Sequence, residues 1–226
     1  MNLPFDIEIR EQDVATLVNL LFGALAILFL AEANNTGIAA AFVIVCVLAD
    51  GADGYLARTR GQGILGFQLD SLADFVSFGV VTSVLVYYVV RDAVGYRSLF
   101  FLIFVVSFLY LVSGMLRLAR YNVAPHEAVF SGLPITAAGM IVALYVLAGL
   151  PPVGLLPVAL VLAGLMVSDI KYPKVRNAFT LAVVGVLLLL VLLLYVIGTD
   201  YSIVSAVLLL LSLVYVLNPL YRRYFR

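Results

Sequence analysis

The sequence predicts an all-α integral membrane protein, a polytopic bundle of about eight transmembrane helices with both termini in the cytoplasm. Three observations carry that expectation. Of 226 residues, 65% are hydrophobic and only 12% charged, at a mean hydropathy of +1.17, whereas soluble domains are nearer half apolar and a quarter charged. The apolar residues fall into runs of about 20, the length that crosses a bilayer core. The cations, finally, segregate to one side once those runs are treated as spans.

Along the chain the runs place helices near residues 14–32, 37–58, 67–90, 98–120, 131–149, 152–169, 178–197 and 202–221. Ahead of the first, Leu3, Phe5, Ile7 and Ile9 make residues 1–13 a short interfacial segment dipping into lipid. The first run has a signal-like Ala31-Glu32-Ala33, but Asp6, Glu8, Glu11 and Asp13 outnumber Arg10 before it. A secretory signal is positive there, so the run reads as a permanent helix. In the fourth, Ser113 and Gly114 are small residues of the kind that let membrane helices pack closely. Pro151-Pro152 and Pro157 make the fifth and sixth runs the candidates for a re-entrant pair. Short connections leave one membrane domain, residues 1–226, without soluble lobes or internal repeats.

With eight spans, Arg10, Arg58, Arg60, Arg117, Arg120, Lys171, Lys174, Arg176, Arg222, Arg223 and Arg226 share one side, and only Arg91 and Arg97 lie opposite. The majority side is the cytoplasmic one by the positive-inside rule. Zero net charge and no extramembrane basic patch argue against a nucleic-acid partner. The single cysteine, Cys46, excludes an internal disulfide and reads as a packing residue. His126 sits in a polar loop and reads as solvated; Lys171, Lys174 and Arg176 read as anchors attracted to anionic headgroups.

Four of the nine aspartates, Asp50, Asp53, Asp70 and Asp74, fall where the second and third helices meet. Spacings of three and four put each pair on one helical face, and the two antiparallel helices bring the pairs to the same cytoplasmic end. Four carboxylates at close range cannot all stay ionised unaided. One or two divalent cations resolve this, and an all-oxygen donor set favours a hard ion such as Mg²⁺ or Mn²⁺. Helix capping explains one or two of the aspartates but not four. A calcium loop fails at Ala52 and Gly61, and Gly61-x-Gly63-x-x-Gly66 lacks the strand a dinucleotide fold requires.

Asp50-x-x-Asp53-Gly54-x-x-Ala57-Arg58, seven residues, then Gly66-x-x-x-Asp70-x-x-x-Asp74 resembles the signature of the CDP-alcohol phosphotransferases. The resemblance implies an enzyme that moves the phospholipid moiety of a CDP-activated lipid onto an alcohol and releases CMP, with one or two Mg²⁺ or Mn²⁺ ions and commonly as a homodimer. It implies Asp50, Asp53, Asp70 and Asp74 as metal ligands, with Asp74 also the general base for the alcohol. Asp53, Gly54, Ala57, Arg58 and Gly66 are implied as the stretch that binds the CDP moiety. Members often have six core spans, which makes residues 178–221 an additional C-terminal helix pair.

Ser77-Phe78-Gly79, Arg117-Leu-Ala-Arg120-Tyr-Asn122, Ser131-Gly-Leu-Pro134, and Leu165-Met-Val-Ser168 with Lys171-Tyr-Pro-Lys174 resemble the phosphatidylserine synthase branch. That implies L-serine as the acceptor and a phosphatidyl or archaetidyl lipid as the donor. Arg117, Arg120 and Asn122 are the candidates to bind the acceptor, since a carboxylate needs a cation and neutral hydrogen-bonding groups. The same arginines suit glycerol phosphate or an inositol phosphate, which stands as the alternative acceptor class. A divalent-cation transporter is the remaining alternative, disfavoured because transporter sites lie near the bilayer midplane between repeats. The expected location is a multi-pass position in the cell membrane with the active site facing the cytoplasm.

Overall fold

In the computed structural model, which describes residues 11–60, 64–94, 99–123, 129–173 and 177–225, helices α1 (Glu11–Ala33) and α2 (Thr36–Arg60) form a tight antiparallel hairpin. Two asparagines make its turn. Asn34 adopts φ +48°, a left-handed conformation that asparagine tolerates. The Asn35 side chain accepts the Ile38 backbone N–H at 2.9 Å and so caps α2. Ala39, Ala40 and Ala41 are buried and bring α2 close to its neighbours, while Phe42 meets Phe22 and Phe29 edge-on.

The third membrane segment is broken in a way its pattern did not suggest. Helix α3 (Ile64–Asp74) passes into a π-helical turn over Phe75–Val80 before α4 (Val81–Val94) resumes α geometry. Tertiary contacts hold the wide turn: Tyr110 Oη donates to the Phe78 carbonyl at 3.2 Å and Ser77 Oγ donates to the Asn19 carbonyl at 3.1 Å. At the other end of the bundle Arg91 bonds Asp92 and Asn34, and Asn34 Nδ2 bonds Asp92 at 2.7 Å. This network pins the end of α4 to the α1–α2 turn.

Helix α5 (Phe100–Val123) is followed by α6 (Ile135–Leu147), a 3-10 turn at Pro152–Gly154 and α7 (Leu155–Val167). Helix α6 is the axis of the bundle. Ile135, Ala138, Gly139, Ile141, Val142, Ala143 and Leu144 leave it buried on every side, and α2, α4, α7 and the last helix pack round it. Helices α8 (Ala178–Ile197) and α9 (Ser202–Phe225) complete the chain. Their short connection uses Gly198 at φ +76° as the stop of α8 and Asp200 as the start signal for α9. The Ser202 hydroxyl and backbone N–H both donate to Asp200, which holds its carboxyl below the usual carboxylate range.

Each of the eight expected segments contains a helix. Six helices among the described residues are long and apolar enough to cross a membrane, and outward residues such as Phe101, Phe104, Phe108, Val186 and Val196 are exposed and apolar. The fifth and sixth are shorter than expected. At 13 residues each, α6 and α7 rise about 20 Å against a core of about 30 Å. Pro134 starts α6 late, and Gly149 at φ +66° ends it early.

Between α5 and α6, and between α7 and α8, the chain forms a two-stranded antiparallel sheet, β1 (Val129–Ser131) with β2 (Lys171–Pro173), Phe130 opposite Tyr172; of its residues only Ser131 falls within an expected helix. Gly132, at φ +81°, then lies against the Met166 carbonyl, where any Cβ would collide.

Gly114 bears out its reading as a close-packing position: a Cβ there would sit 2.7 Å from Ile135 Cδ1. Gly114→Val is therefore expected to destabilise the protein by about 1–3 kcal/mol, as overpacking does. Gly185→Val, at a position with nothing within 4 Å, should leave the thermal midpoint in detergent unchanged. Equal midpoints for the two variants would remove the close contact from the account.

Candidate active site

Helices α2 and α3, both packed on α1, bring three of the four aspartates together. Carboxylate oxygens of Asp50 on α2 and of Asp70 and Asp74 on α3 lie within 4.8 Å of one another. Asp74 is buried and is the last residue of α3. Asp53, one turn beyond Asp50, is also buried, and its Oδ2 accepts a hydrogen bond from Thr16 Oγ1 at 3.0 Å. It stands outside the close trio but near enough for the charges of Asp50 and Asp70 to act on it.

Among the described residues, one buried cation faces this negative centre. Arg117 of α5 is 7% exposed, acts electrostatically on Asp50, Asp70 and Asp74, and lies 5.3 Å from the Tyr121 ring centroid. The Thr136 side chain, from the first turn of α6, lies beside Asp50. The donor set suits a hard divalent ion. It is all oxygen, its three carboxylates are closer than free anions tolerate, and Asp70 Oδ1 is buried without a hydrogen-bond partner.

Of the residues expected to bind CDP, a Cβ at Gly54 would meet nothing within 4 Å, so the backbone there borders open space beside Asp53. Gly66 is buried at the start of α3. Ala57 and Arg58 continue α2, but their side chains lie outside the described residues, as do His126, Lys174 and Arg176. The acceptor candidates separate. Arg117 joins the carboxylates, whereas Arg120 is exposed and reaches Asp169 and the Val167 and Ser168 carbonyls at the end of α7. A cation at a helix C-terminus complements the dipole there. Asn122 Oδ1 accepts from Ser71 Oγ at 2.9 Å and ties the end of α5 to α3.

Sequence reasoning overlooked α1. Asp13, Thr16, Asn19, Gly23, Ala26 and Leu30 form its continuous buried stripe. Its N-terminal half is polar: Thr16 bonds Asp53, and Asn19 Nδ2 donates to Asp74 Oδ1 at 3.0 Å. Polar residues three apart inside an otherwise apolar span were the signal available for this.

Comparison with known families agrees with the geometry. The model of the CDP-alcohol phosphatidyltransferase family matches residues 13–170, from the Asp13 turn of α1 to the approach to β2. The chain belongs to the CDP-alcohol phosphatidyltransferase family. Over 168 residues it is 33% identical to the archaetidylserine synthase of Methanothermobacter thermautotrophicus, covering 72% of this chain and 69% of that one. A CDP-diacylglycerol–serine O-phosphatidyltransferase of Helicobacter pylori is 32% identical over 174 residues, 72% and 71% of the two chains. One of Methanocaldococcus jannaschii is 31% identical over 190 residues, 80% and 83%. The family match takes in every aspartate of the site, Arg117 and Thr136; α8 and α9 lie beyond it.

Proposed function

We propose that this CDP-alcohol phosphatidyltransferase transfers the phosphatidyl or archaetidyl group of a CDP-activated lipid to the hydroxyl of L-serine, releasing CMP. The carrying observation is the trio Asp50, Asp70 and Asp74 with buried Arg117 beside it, in a chain similar to relatives named for transfer to serine.

The serine oxygen attacks the lipid-bearing phosphorus, the bond from that phosphorus to the bridging oxygen breaks, and CMP leaves with that oxygen. Asp74 receives the hydroxyl proton. Asp50, Asp53, Asp70 and Asp74 are the residues to hold Mg²⁺ or Mn²⁺, which when bound neutralises charge on the phosphate oxygens. Asp53, Gly54, Ala57, Arg58 and Gly66 form the CDP shelf, where small residues let the nucleotide approach and the Arg58 guanidinium can fork onto phosphate.

Arg117 takes the serine carboxylate, its charge oriented by Tyr121 stacking. Asn122 supports that side of the site through Ser71. Arg120 serves better as the cap of α7, given its carbonyl partners.

Residues 1–226 act as one membrane domain of eight helical passes, α8 and α9 forming an added pair. Both termini and the site face the cytoplasm, where the cations concentrate, and the active form is a homodimer.

Purified protein supplied with CDP-lipid, Mn²⁺ and labelled L-serine is expected to release CMP and yield labelled lipid. Glycerol phosphate and inositol phosphate, offered as competitors, should give little product. Product with glycerol phosphate and none with serine would overturn the acceptor assignment. Uptake of Mn²⁺ into proteoliposomes without any CMP release would overturn the enzyme reading altogether.

A further inference from the structure

Asn19 is fully buried, carries no charge, and sits on α1, outside the aspartate-bearing helices. Yet three elements converge on it. Its Nδ2 donates to Asp74 Oδ1 at 3.0 Å. Its backbone carbonyl accepts from Ser77 Oγ at 3.1 Å, in the π turn, and from Cys46 Sγ at 3.2 Å, one turn before Asp50 on α2. Gly23, one turn further along α1, lies against Ser77 so closely that any Cβ would collide with its hydroxyl. The backbone of α1 is thus clamped to the segment that follows Asp74, and the Asn19 amide is delivered to the carboxylate at a fixed height.

We propose that Asn19 is a positioning residue for the transfer reaction, holding one oxygen of Asp74 so that the other stays turned to the reacting centre. This inference deepens the function proposed above and rests on it. A carboxylate has two equivalent oxygens, and rotation about its last side-chain bond exchanges them. A single directional donor on Oδ1 removes that freedom, because turning the group sacrifices a buried hydrogen bond. The π turn begins at the residue after Asp74, so the helix itself is a poor guide for that side chain. The clamp through Ser77 and the amide from Asn19 supply the missing rigidity. Partners that orient a metal-binding carboxylate in this way are commonly worth about 10–100-fold in metal affinity or activity.

The test compares Asn19→Asp and Asn19→Leu with the wild type, as full-length protein in the same lipid nanodiscs. Asn19→Asp keeps the shape and replaces the N–H donor with an oxygen; Asn19→Leu keeps the approximate volume and removes all polarity. Both are expected to lose about 10–100-fold in kcat for serine transfer at saturating metal, with KM for CDP-lipid and serine within threefold of wild type. The Mn²⁺ affinity, read from the EPR signal of the free ion, is expected to fall about tenfold or more.

Asn19→Asp with kcat and Mn²⁺ affinity both within threefold of wild type would overturn the proposal. So would a loss confined to Asn19→Leu that tracks a lower thermal midpoint and recovers on cooling, since that is a packing effect. If the wild type makes no product, the serine-transfer reading fails instead, and the Mn²⁺ titration still decides whether Asn19 holds Asp74.

Discussion

Asp74→Asn is expected to lower serine-dependent CMP release by about 10²–10⁴-fold, the usual contribution of a general base, while CDP-lipid binding survives. The substitution is nearly isosteric. Its amide oxygen can still accept the Asn19 N–H that now reaches Asp74 Oδ1, so the contact between α1 and α3 is kept. What it loses is the capacity to take a proton from a serine hydroxyl, a poor nucleophile near neutral pH. Turnover and equilibrium binding of a fluorescent CDP-lipid, measured on one preparation, separate the two roles. Wild-type turnover would take Asp74 out of the proton transfer. Loss of CDP-lipid binding together with turnover would instead make Asp74 chiefly a donor-site residue.

The aspartates were legible because their information is local. Spacings of three and four on two consecutive helices define faces, and a short connection forces those faces to one end. The resemblance of the signature then named the family that the comparison established. Other features depend on contacts that no window of sequence contains. Ser77-Phe78-Gly79 reads as ordinary helix until Tyr110 from α5 donates to the Phe78 carbonyl and the Ser77 hydroxyl donates to the Asn19 carbonyl of α1.

Helices α6 and α7 have ample hydropathy to span; Pro134 and a left-handed Gly149 bound α6, and the 3-10 turn at Pro152–Gly154 and an extended Ser168 bound α7. Arg117 and Arg120 look equivalent in sequence. Packing sends one inward to the carboxylates and the other to the end of α7. Thr16 and Asn19 were hidden by hydropathy itself, since two polar residues barely lower the average of a long apolar run.

Removing divalent ions from the wild type is expected to abolish CMP release and lower the thermal midpoint, and Asp70→Asn should respond to metal in neither respect. Three carboxylate oxygens within 4.8 Å repel. At an effective dielectric of about 20, two unit charges at that separation cost about 3.5 kcal/mol per pair. Among the described residues the buried guanidinium is Arg117, and one such charge cannot offset every pair. A bound cation reverses the sign of the interaction, and by mass action an ion present at a hundredfold over its Kd adds about 2.7 kcal/mol to the folded state.

Asp70 contributes an oxygen to the trio and has a buried Oδ1 without a hydrogen-bond partner, so Asp70→Asn acts on both sides of this balance. Without metal it relieves repulsion, and its midpoint should equal or exceed that of the metal-free wild type. With Mn²⁺ added, the wild type should gain stability and overtake it. A general loss of packing would lower the variant's midpoint under both conditions, so the crossing of the two proteins is the diagnostic result. An Asp70→Asn protein that gains as much from Mn²⁺ as the wild type would show that the ion is held without Asp70, and the α2–α3 cradle would have to be redrawn around Asp50, Asp53 and Asp74.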